Sequence, residues 1–452
     1  MLRLALALTI VRRAHPMVRR ARHLIALSVL AVLGFQACLS TNLPRIGSSS
    51  TFAPEDDERR LWTATRAAED KVLPPSAELR DPTLENYLDG LVQRLLPSGY
   101  TESGGPPIKV RVRRDPRLNA MAMAHGAIIV HTSMLARADN EAEVAGVLGH
   151  EVTHITHRHS VRDARAIQNR QNAINAAAIV GTLALAVVAA DQANRGNYGT
   201  ARALANIAPP LLDFGLRLTY TAMVNGYSRE LETEADEEGL RLMAAAGYDP
   251  RNMQGFFRRV MADSPDAGAL ETFFYGNHPR TAERIKIVER VAPTLSIAAA
   301  RGNLSDDEFN QRMRGIRVLN AQFDAHAGRM ALAKSQMTRV VQTLPSTARP
   351  AATTFLDGHL QAAASFGLAK RGNIPQARAA VDAAATAYRS TIATTPALAP
   401  DASRALGLLY HGQRSVVNHD CAAKEALERY LSLKPAASDK DQIQGKLADL
   451  RC

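Results

Sequence analysis

Aromatic residues are scarce in this 452-residue chain, at 5% of the total with a single tryptophan. Cysteine is limited to three residues, and glycine and proline stand at ordinary levels of 28 and 22. This composition excludes a collagen, a low-complexity chain and a small disulfide-dense protein. At 46% hydrophobic and 22% charged residues, the chain suits two or three globular domains, and its small side chains favour packed helices over a β-sandwich.

Acidic residues are absent from the first 37 positions, where six arginines account for more than half of the formal net charge of +11. Along the rest of the chain the two signs of charge are mixed. A protein that binds nucleic acid carries its positive charge as a patch or stripe on a folded domain. We therefore predict no nucleic-acid partner.

The basic N-terminus is typical of an export signal. Arginines precede a largely apolar run at 24–35, and the small residue Ala37 stands directly before Cys38. The run is short for a membrane span. We predict that 1–37 is a lipoprotein-like signal peptide, and that an acylated Cys38 anchors an exported, periplasmic protein to the outer membrane. Cleavage by ordinary signal peptidase with Cys38 as a bystander stays open, as does a start at Met17.

The patterning beyond this segment is mostly helical. Apolar and basic residues alternate at 108–113, which predicts a strand, and 127–131 predicts a second one. Asn140 with Glu143 three residues later forms a capping-box pattern, and the helix that it opens should continue to about His159. The fold class predicted is mainly α with a small β-sheet.

The chemistry lies in the HExxH motif His150-Glu151-Val152-Thr153-His154. Residues four apart share one face of a helix, so both imidazoles can reach a single Zn²⁺ ion. Glu151 then stands beside the metal, where it can act as the general base toward the attacking water. The motif predicts a zinc peptidase with one Zn²⁺ per chain.

A catalytic zinc usually has three protein ligands and one open position. The third ligand can come from His157, from His159 or from the acidic run 230–236. Glu232 and Asp236 are four apart on a predicted helix, so one can bind the metal while the other receives an imidazole N–H. The spacing favours Glu232 over His157 as the ligand.

The sequence resembles the zinc metallopeptidase family of HtpX, Oma-type and BepA-type proteins, and most of all its periplasmic BepA-type members. The resemblance spans roughly 60–290. The matching pieces are Asn119-Ala120-Met121-Ala122, Asn140-Glu141-Ala142-Glu143, the HExxH motif, Arg158-His159, the run from Ser228 to Gly239, and His278-Pro279.

The resemblance implies roles for individual residues. Zinc would be bound by His150, His154 and Glu232, with Glu151 as general base. Asp236 would accept a hydrogen bond from a zinc-ligating side chain. His278 would approach the metal as a fourth ligand or stabilise the oxyanion. These six residues form the predicted site. The turn Met123-Ala124-His125-Gly126 departs from the Pro-Gly-Gly turn of the family, which affects the expected shape of the substrate-side edge strand.

The stretch 176–190 holds fifteen uncharged, Ala-rich residues. A membrane span normally needs about 20 apolar residues. We therefore favour a helix that covers the cleft or touches a membrane, and the resemblance supports a cover. A membrane segment stays open as the alternative.

The domain organisation follows from these assignments. A tether at 38–58 should lead into an HExxH zincin (gluzincin-like) catalytic domain at 59–292. The remainder, 293–452, resembles degenerate tetratricopeptide repeats, which stack helix pairs into a surface that binds peptides or proteins. An unspecialised helical bundle is the alternative for this last part.

Two functions are consistent with this organisation. The first is a zinc endopeptidase of the bacterial envelope that cuts exported or misfolded proteins, in the quality control of outer-membrane proteins. The second is a lipid-anchored chaperone or assembly adaptor with latent protease activity. The predicted partners are unfolded or misassembled envelope polypeptides, the membrane through the N-terminal lipid, and the outer-membrane assembly machinery.

An odd number of cysteines in an exported protein leaves one thiol to explain. With Cys38 acylated, Cys421 and Cys452 remain, in an oxidising compartment. They stand at the outer ends of two short predicted helices joined by a brief loop, and such helices run antiparallel. We predict a disulfide between them, with two unrelated thiols as the alternative.

Overall fold

The computed structural model describes residues 38–48, 51–173, 227–263, 281–300 and 302–452. The predictions made for 1–37, 176–190 and His278 lie outside these ranges. Within them, no helix combines the length and the hydrophobicity that crossing a membrane requires. The chain divides into two compact units, one formed by Arg45–His157 with Ser228–Cys452 and the other by the described parts of Met1–Pro44 and Arg158–Tyr227.

The first of these units is mainly helical and contains one small sheet, as predicted. Its strands are β1 (Lys109–Arg113), β2 (Ala120–Ala122) and β3 (Ala127–His131). Its helices are α1 (Asp56–Val72), α2 (Pro82–Leu95), α3 (Thr132–Arg137), α4 (Glu141–Thr156), α5 (Arg229–Ala245), α6 (Asn252–Asp263), α7 (Thr281–Val291), α8 (Asp306–Arg312), α9 (Arg314–His326), α10 (Met330–Gln342), α11 (Arg349–Lys370), α12 (Ile374–Thr394), α13 (Ala399–Gly412), α14 (Asp420–Leu433) and α15 (Lys440–Ala448).

The sheet has the strand order β1-β3-β2, with β1 parallel and β2 antiparallel to the central β3. All five residues of β3 are buried, because the strand is covered on both faces. The two strands expected from the sequence are confirmed, whereas β2 was not predicted. It is only three residues long and rich in alanine, so the alternation that reveals a strand is missing.

Helix α4 begins as the capping pattern predicts but ends earlier. The side chain of Asn140 accepts a hydrogen bond from the Glu143 N–H at 3.1 Å, and the Glu143 carboxylate reaches back to the N–H of Asp139 at 2.8 Å. The predicted continuation to about His159 was wrong. Arg158 adopts the left-handed conformation, with φ of 58°, and the helix ends at Thr156.

Helices α4 and α5 cross with their backbones almost in contact. A Cβ atom added to Gly239 would lie 2.9 Å from the backbone nitrogen of His150, and one added to Gly149 would lie 3.0 Å from the carbonyl oxygen of Gly239. Only glycine allows two helices to approach this closely. The crossing therefore fixes α5 directly against the first histidine of the HExxH motif.

The helices that follow residue 292 are anchored to the part of the chain that carries the sheet. The guanidinium of Arg317 on α9 donates to the carbonyl oxygens of Ala136 and Ala138, at 3.4 and 2.9 Å. The N–H of Leu304 donates to the carboxylate of Glu141, the first residue of α4, at 3.1 Å. Further along, α11 to α14 pack in sequence, each helix on the next, around a core of small aliphatic residues and tyrosines.

The C-terminus is closed by a disulfide between Cys421 and Cys452, whose Cα atoms are 4.9 Å apart. It joins the first turn of α14 to the residues that follow α15. Next to it, Arg414 forms an ion pair with Asp420 at 2.6 Å and donates to the carbonyl oxygen of Asp449 at 2.7 Å. The residues that follow the last helix are thereby held against the start of α14 and the end of α13.

In the second unit, the residues after Cys38 lie along a helical segment at 159–173. Asn169 exchanges two hydrogen bonds with the backbone of Leu39, at 2.8 and 2.7 Å, and Arg165 donates to the carbonyl oxygen of Ser40 at 3.0 Å. Cys38 itself is exposed, and its thiol is free of any disulfide.

Candidate metal centre

Three side chains of α4 and α5 converge at the helix crossing. The Nε2 atoms of His150 and His154 are 3.0 Å apart, and the carboxylate oxygens of Glu232 lie 3.4 Å from the first and 3.6 Å from the second. The three residues are 3%, 1% and 1% exposed. The structure therefore brings together, in a buried pocket, the three residues that the sequence suggested as ligands.

The donor set and its spacing fit a zinc ion. Zinc accepts histidine nitrogen and carboxylate oxygen at about 2.0–2.2 Å, and tetrahedral bonds of that length place neighbouring donors about 3.4 Å apart. The three separations observed, 3.0, 3.4 and 3.6 Å, surround this value. The fourth position of the tetrahedron takes no ligand from these three residues.

Behind the donors, Asp236 holds the ring of His150. Its Oδ1 atom lies 2.9 Å from Nδ1 of His150, which leaves Nε2 turned toward the other donors. Arg284 of α7 holds Asp236 in turn, with Nη2 at 2.6 Å from Oδ1 and Nε at 3.1 Å from Oδ2. Carboxylates placed in this way fix the tautomer and the orientation of a ligating histidine.

Arg284 is the functional residue that sequence reasoning missed. It is 4% exposed, and its guanidinium carbon lies 4.5 Å from the centroid of the Phe257 ring. A signal was present, because Arg284 stands in register with Ile287, Val288 and Val291 on the apolar face of α7. An arginine at a core-facing position is rarely buried unless it is paired, so its position predicts a partner in the core.

The charges around Asp236 and His150 favour an ionised Asp236 carboxylate and a positive charge near His150. Burial raises the pKa of Asp236, but the charge of Arg284 and the hydrogen bond with His150 outweigh it and hold the pKa below its ordinary value. Burial and Arg284 lower the pKa of His150, whereas Asp236 and Glu232 raise it more strongly, to about 9. The pocket therefore stabilises a cation at the donor atoms.

The remaining predicted site residues are placed as follows. Glu151 is buried on α4, directly after the first ligand histidine. The rival ligand His157 turns away to Glu234, with 2.5 Å between Nδ1 and Oε1. His159 belongs to the other unit, where its ring meets that of Tyr227 at 6.0 Å. His278 lies outside the described residues.

Strand β2 packs against α4 and forms one edge of the sheet. The carbonyl of Asn119 and the N–H of Met123 bond to β3, at 3.0 and 2.7 Å, so Ala120 and Ala122 between them direct their backbone groups away from β3. The Asn119 carboxamide is buried, and neither of its polar atoms has a hydrogen-bond partner among the described residues. An extended peptide could pair with this edge.

The turn that follows β2 is fixed to α1. Gly126 has φ of 101° and donates to the carbonyl oxygen of Met123 at 2.9 Å, which closes the turn in place of the Pro-Gly-Gly sequence of the family resembled. The ring of His125 lies 2.9 Å from the hydroxyl of Thr65 and 3.0 Å from the carboxylate of Glu69. Helix α1 thus sets the position of this end of the edge strand.

Two histidines of an HExxH helix and a glutamate from a second helix form the ligand set of a metallopeptidase. Comparison with known proteins agrees, since residues 82–292 match the model of Peptidase family M48. A Vibrio cholerae protein named as a beta-barrel assembly-enhancing protease is 31% identical over 210 residues, which cover 46% of this chain and 39% of that protein.

In two further relatives, the matching region covers a larger share of the relative's length. Mitochondrial metalloendopeptidase OMA1 of Schizosaccharomyces pombe is 28% identical over 255 residues, 54% of this chain and 67% of the relative. Metalloprotease YcaL of Escherichia coli is 28% identical over 188 residues, 42% and 64% of the two chains. Residues 82–292, slightly less than half of the chain, are thus similar to peptidase family M48, whose metallopeptidases are zinc-dependent.

Proposed function

We propose that this protein is a zinc-dependent endopeptidase of the bacterial cell envelope that cuts exported or misfolded proteins, in the quality control of outer-membrane proteins. The observation that supports the chemistry is the convergence of His150, His154 and Glu232 within 4.8 Å of one another, all of them buried. This arrangement is costly for three polar groups unless a cation binds them.

Each residue of the centre has a distinct part in this proposal. A Zn²⁺ ion bound by the two histidines and Glu232 would supply Lewis-acid activation of water and of the peptide carbonyl. Glu151 takes the proton from the attacking water and delivers it to the leaving amine. Asp236 and Arg284 keep the ring of His150 oriented, and the edge of β2 holds the substrate in an extended conformation through backbone hydrogen bonds.

The cellular role in the proposal rests on the N-terminal sequence and on the names of the relatives. The chain spans about two fifths of the length of the Vibrio cholerae relative, which is named for enhancing β-barrel assembly. An export signal at 1–37 and a lipid on the exposed Cys38 would place the peptidase at the periplasmic face of the outer membrane, near unfolded or misassembled polypeptides and the assembly machinery.

The second candidate function is a chaperone or assembly adaptor that acts through the C-terminal helices. It is favoured by the sequential packing of α11 to α14, which is typical of helical repeats. Large apolar side chains are exposed in this region, at Phe366, Ile374 and Leu433. A variant that lacks catalysis and still supports outer-membrane assembly in cells would favour this second function over proteolysis.

The metal site is tested by a matched pair of substitutions on α5. Glu232→Gln removes the carboxylate charge from the donor set, whereas Glu230→Gln changes an exposed residue on the same helix. We expect about one zinc per chain in the wild type and in Glu230→Gln, and loss of both zinc and cleavage of an unfolded protein in Glu232→Gln. Wild-type zinc content in Glu232→Gln would contradict the proposed ligand set.

A further inference from the structure

A second polar cavity, distinct from the metal centre, lies between α6 and α10. Its volume is about 40 Å³, and its polar lining consists of Arg137, Arg259, Arg339, Ser335 and Gln336. Three apolar side chains complete the wall. Three arginines therefore line one small volume that the proposed peptidase chemistry does not use.

Two carboxylates partly balance these guanidiniums. Asp139 bridges Arg259 and Arg339, with both N–O distances at 2.8 Å, and Glu143 forms a second ion pair with Arg259. Even so, the Nε atom of Arg259 is buried and has no hydrogen-bond partner among the described residues. A donor without a partner on the wall of a polar cavity indicates that an acceptor belongs there.

A further guanidinium adds to the positive charge of this region. Arg317 is fully buried, and the carbonyl oxygens of Ala136 and Ala138 that it contacts carry no net negative charge. Burial and the nearby Arg339 lower the pKa of Arg317 to about 10, so it remains protonated at neutral pH. Arg259, Arg317 and Arg339 thus outnumber Asp139 and Glu143.

The size of the cavity limits what can occupy it. About 10–15 Å³ of such cavity volume holds one water molecule, so the cavity of about 40 Å³ offers roughly three water-sized positions. That is room for a four-oxygen anion. Arginine forks match the oxygens of sulfate and phosphate in geometry as well as in charge.

We propose that the cavity between α6 and α10 binds a small free oxyanion of the size of sulfate or phosphate. The anion accepts hydrogen bonds from the guanidiniums of Arg137, Arg259 and Arg339 and balances the excess of positive charge. It joins α10 to α6, and through Arg259 and Glu143 to the first turn of α4. The first C-terminal helices are thereby held on the peptidase domain.

The test uses a substitution that imitates the anion, so that a destabilised variant cannot be mistaken for the expected result. Ser335→Asp places a carboxylate at the cavity, and Ser335→Asn places a group of equal size without charge. Thr338→Asp adds the same charge at an exposed position on α10 that does not line the cavity. Thermal unfolding of the full chain is followed as sulfate replaces gluconate at constant ionic strength.

Sulfate also stabilises folded proteins non-specifically, and the comparison among variants removes that contribution. Beyond this non-specific stabilisation, we expect sulfate to raise the Tm by about 2–4 °C, in a saturable way, in the wild type, in Ser335→Asn and in Thr338→Asp. We expect no such additional rise in Ser335→Asp. In gluconate, Ser335→Asp should already melt above Ser335→Asn. An equal response to sulfate in Ser335→Asp and Ser335→Asn would overturn the proposal.

Discussion

The helix crossing offers a way to perturb the metal centre without touching a ligand. In Gly239→Ala, the added Cβ would lie 2.9 Å from the backbone nitrogen of His150 and 3.2 Å from its Cα. Both are backbone atoms of a buried helix, so no side chain can rotate to relieve the contact. Helix α5 must move away from α4 by about 0.5–1 Å to restore ordinary contact distances of about 3.4–4 Å.

The cost of this displacement falls mainly on metal binding. Without the ion the two helices can separate, whereas an ion requires donors at the spacing now seen between Glu232 and the histidines of α4. Overpacking of this kind costs about 1–3 kcal/mol. At about 1.4 kcal/mol per tenfold, the zinc affinity of Gly239→Ala should fall roughly tenfold to a hundredfold.

The assay is zinc affinity measured by competition with a chelator of known strength. Gly90→Ala is the matched control, because a Cβ at Gly90 on α2 would meet no atom within 4 Å. This control should bind zinc as the wild type does and gain about 0.5–1 kcal/mol of folding stability. If Gly239→Ala binds zinc as tightly as Gly90→Ala, the crossing does not determine the donor spacing and the reasoning fails.

Three further predictions concern other parts of the protein. Burial lowers the pKa of His359 to about 4. The buried neutral imidazole therefore contributes fully to the free energy of unfolding above pH 6.5, and as the pH falls from 6.5 to 4 that contribution is lost, by at most about 3 kcal/mol, because the unfolded chain takes up the proton first. Denaturant unfolding across this range should show a flatter profile for His359→Gln, and an unchanged slope would contradict the assignment. Reduction of Cys421–Cys452, which closes a 31-residue loop, should cost about 3–4 kcal/mol, and peptide mapping without reductant should recover the linked pair rather than two free thiols. Asn119→Ala should lower kcat/KM for an unfolded protein about tenfold through lost hydrogen bonds to the substrate backbone and keep its zinc; an unchanged kcat/KM would remove Asn119 from the substrate site.

The parts of the fold and the site that sequence could predict are those encoded by local spacing. The i, i+4 repeat places His150 and His154 on one face, and the same spacing relates Glu232 to Asp236 on α5. The alternation of Val110 and Val112 with basic residues revealed β1. In each case the physical cause lies within one turn of helix or a few residues of strand.

The parts that sequence could not predict depend on pairs distant along the chain. Arg284 meets Asp236 across 48 residues, and Gly149 meets Gly239 across 90, so no local period reports either contact. The end of α4 was misjudged because the left-handed backbone of Arg158, a residue type with no preference for that conformation, interrupts a pattern that continues on both sides. Such features emerge only from tertiary packing.

The central claim is that Glu151 is the general base of a zinc endopeptidase. It is tested most directly by zinc content together with digestion of an unfolded protein, for the wild type against Glu151→Gln. The amide preserves the size of the side chain but cannot accept the proton, so we expect about one zinc per chain in both proteins and a loss of cleavage of at least a hundredfold in the variant. Cleavage by zinc-loaded Glu151→Gln at the wild-type rate would contradict the account.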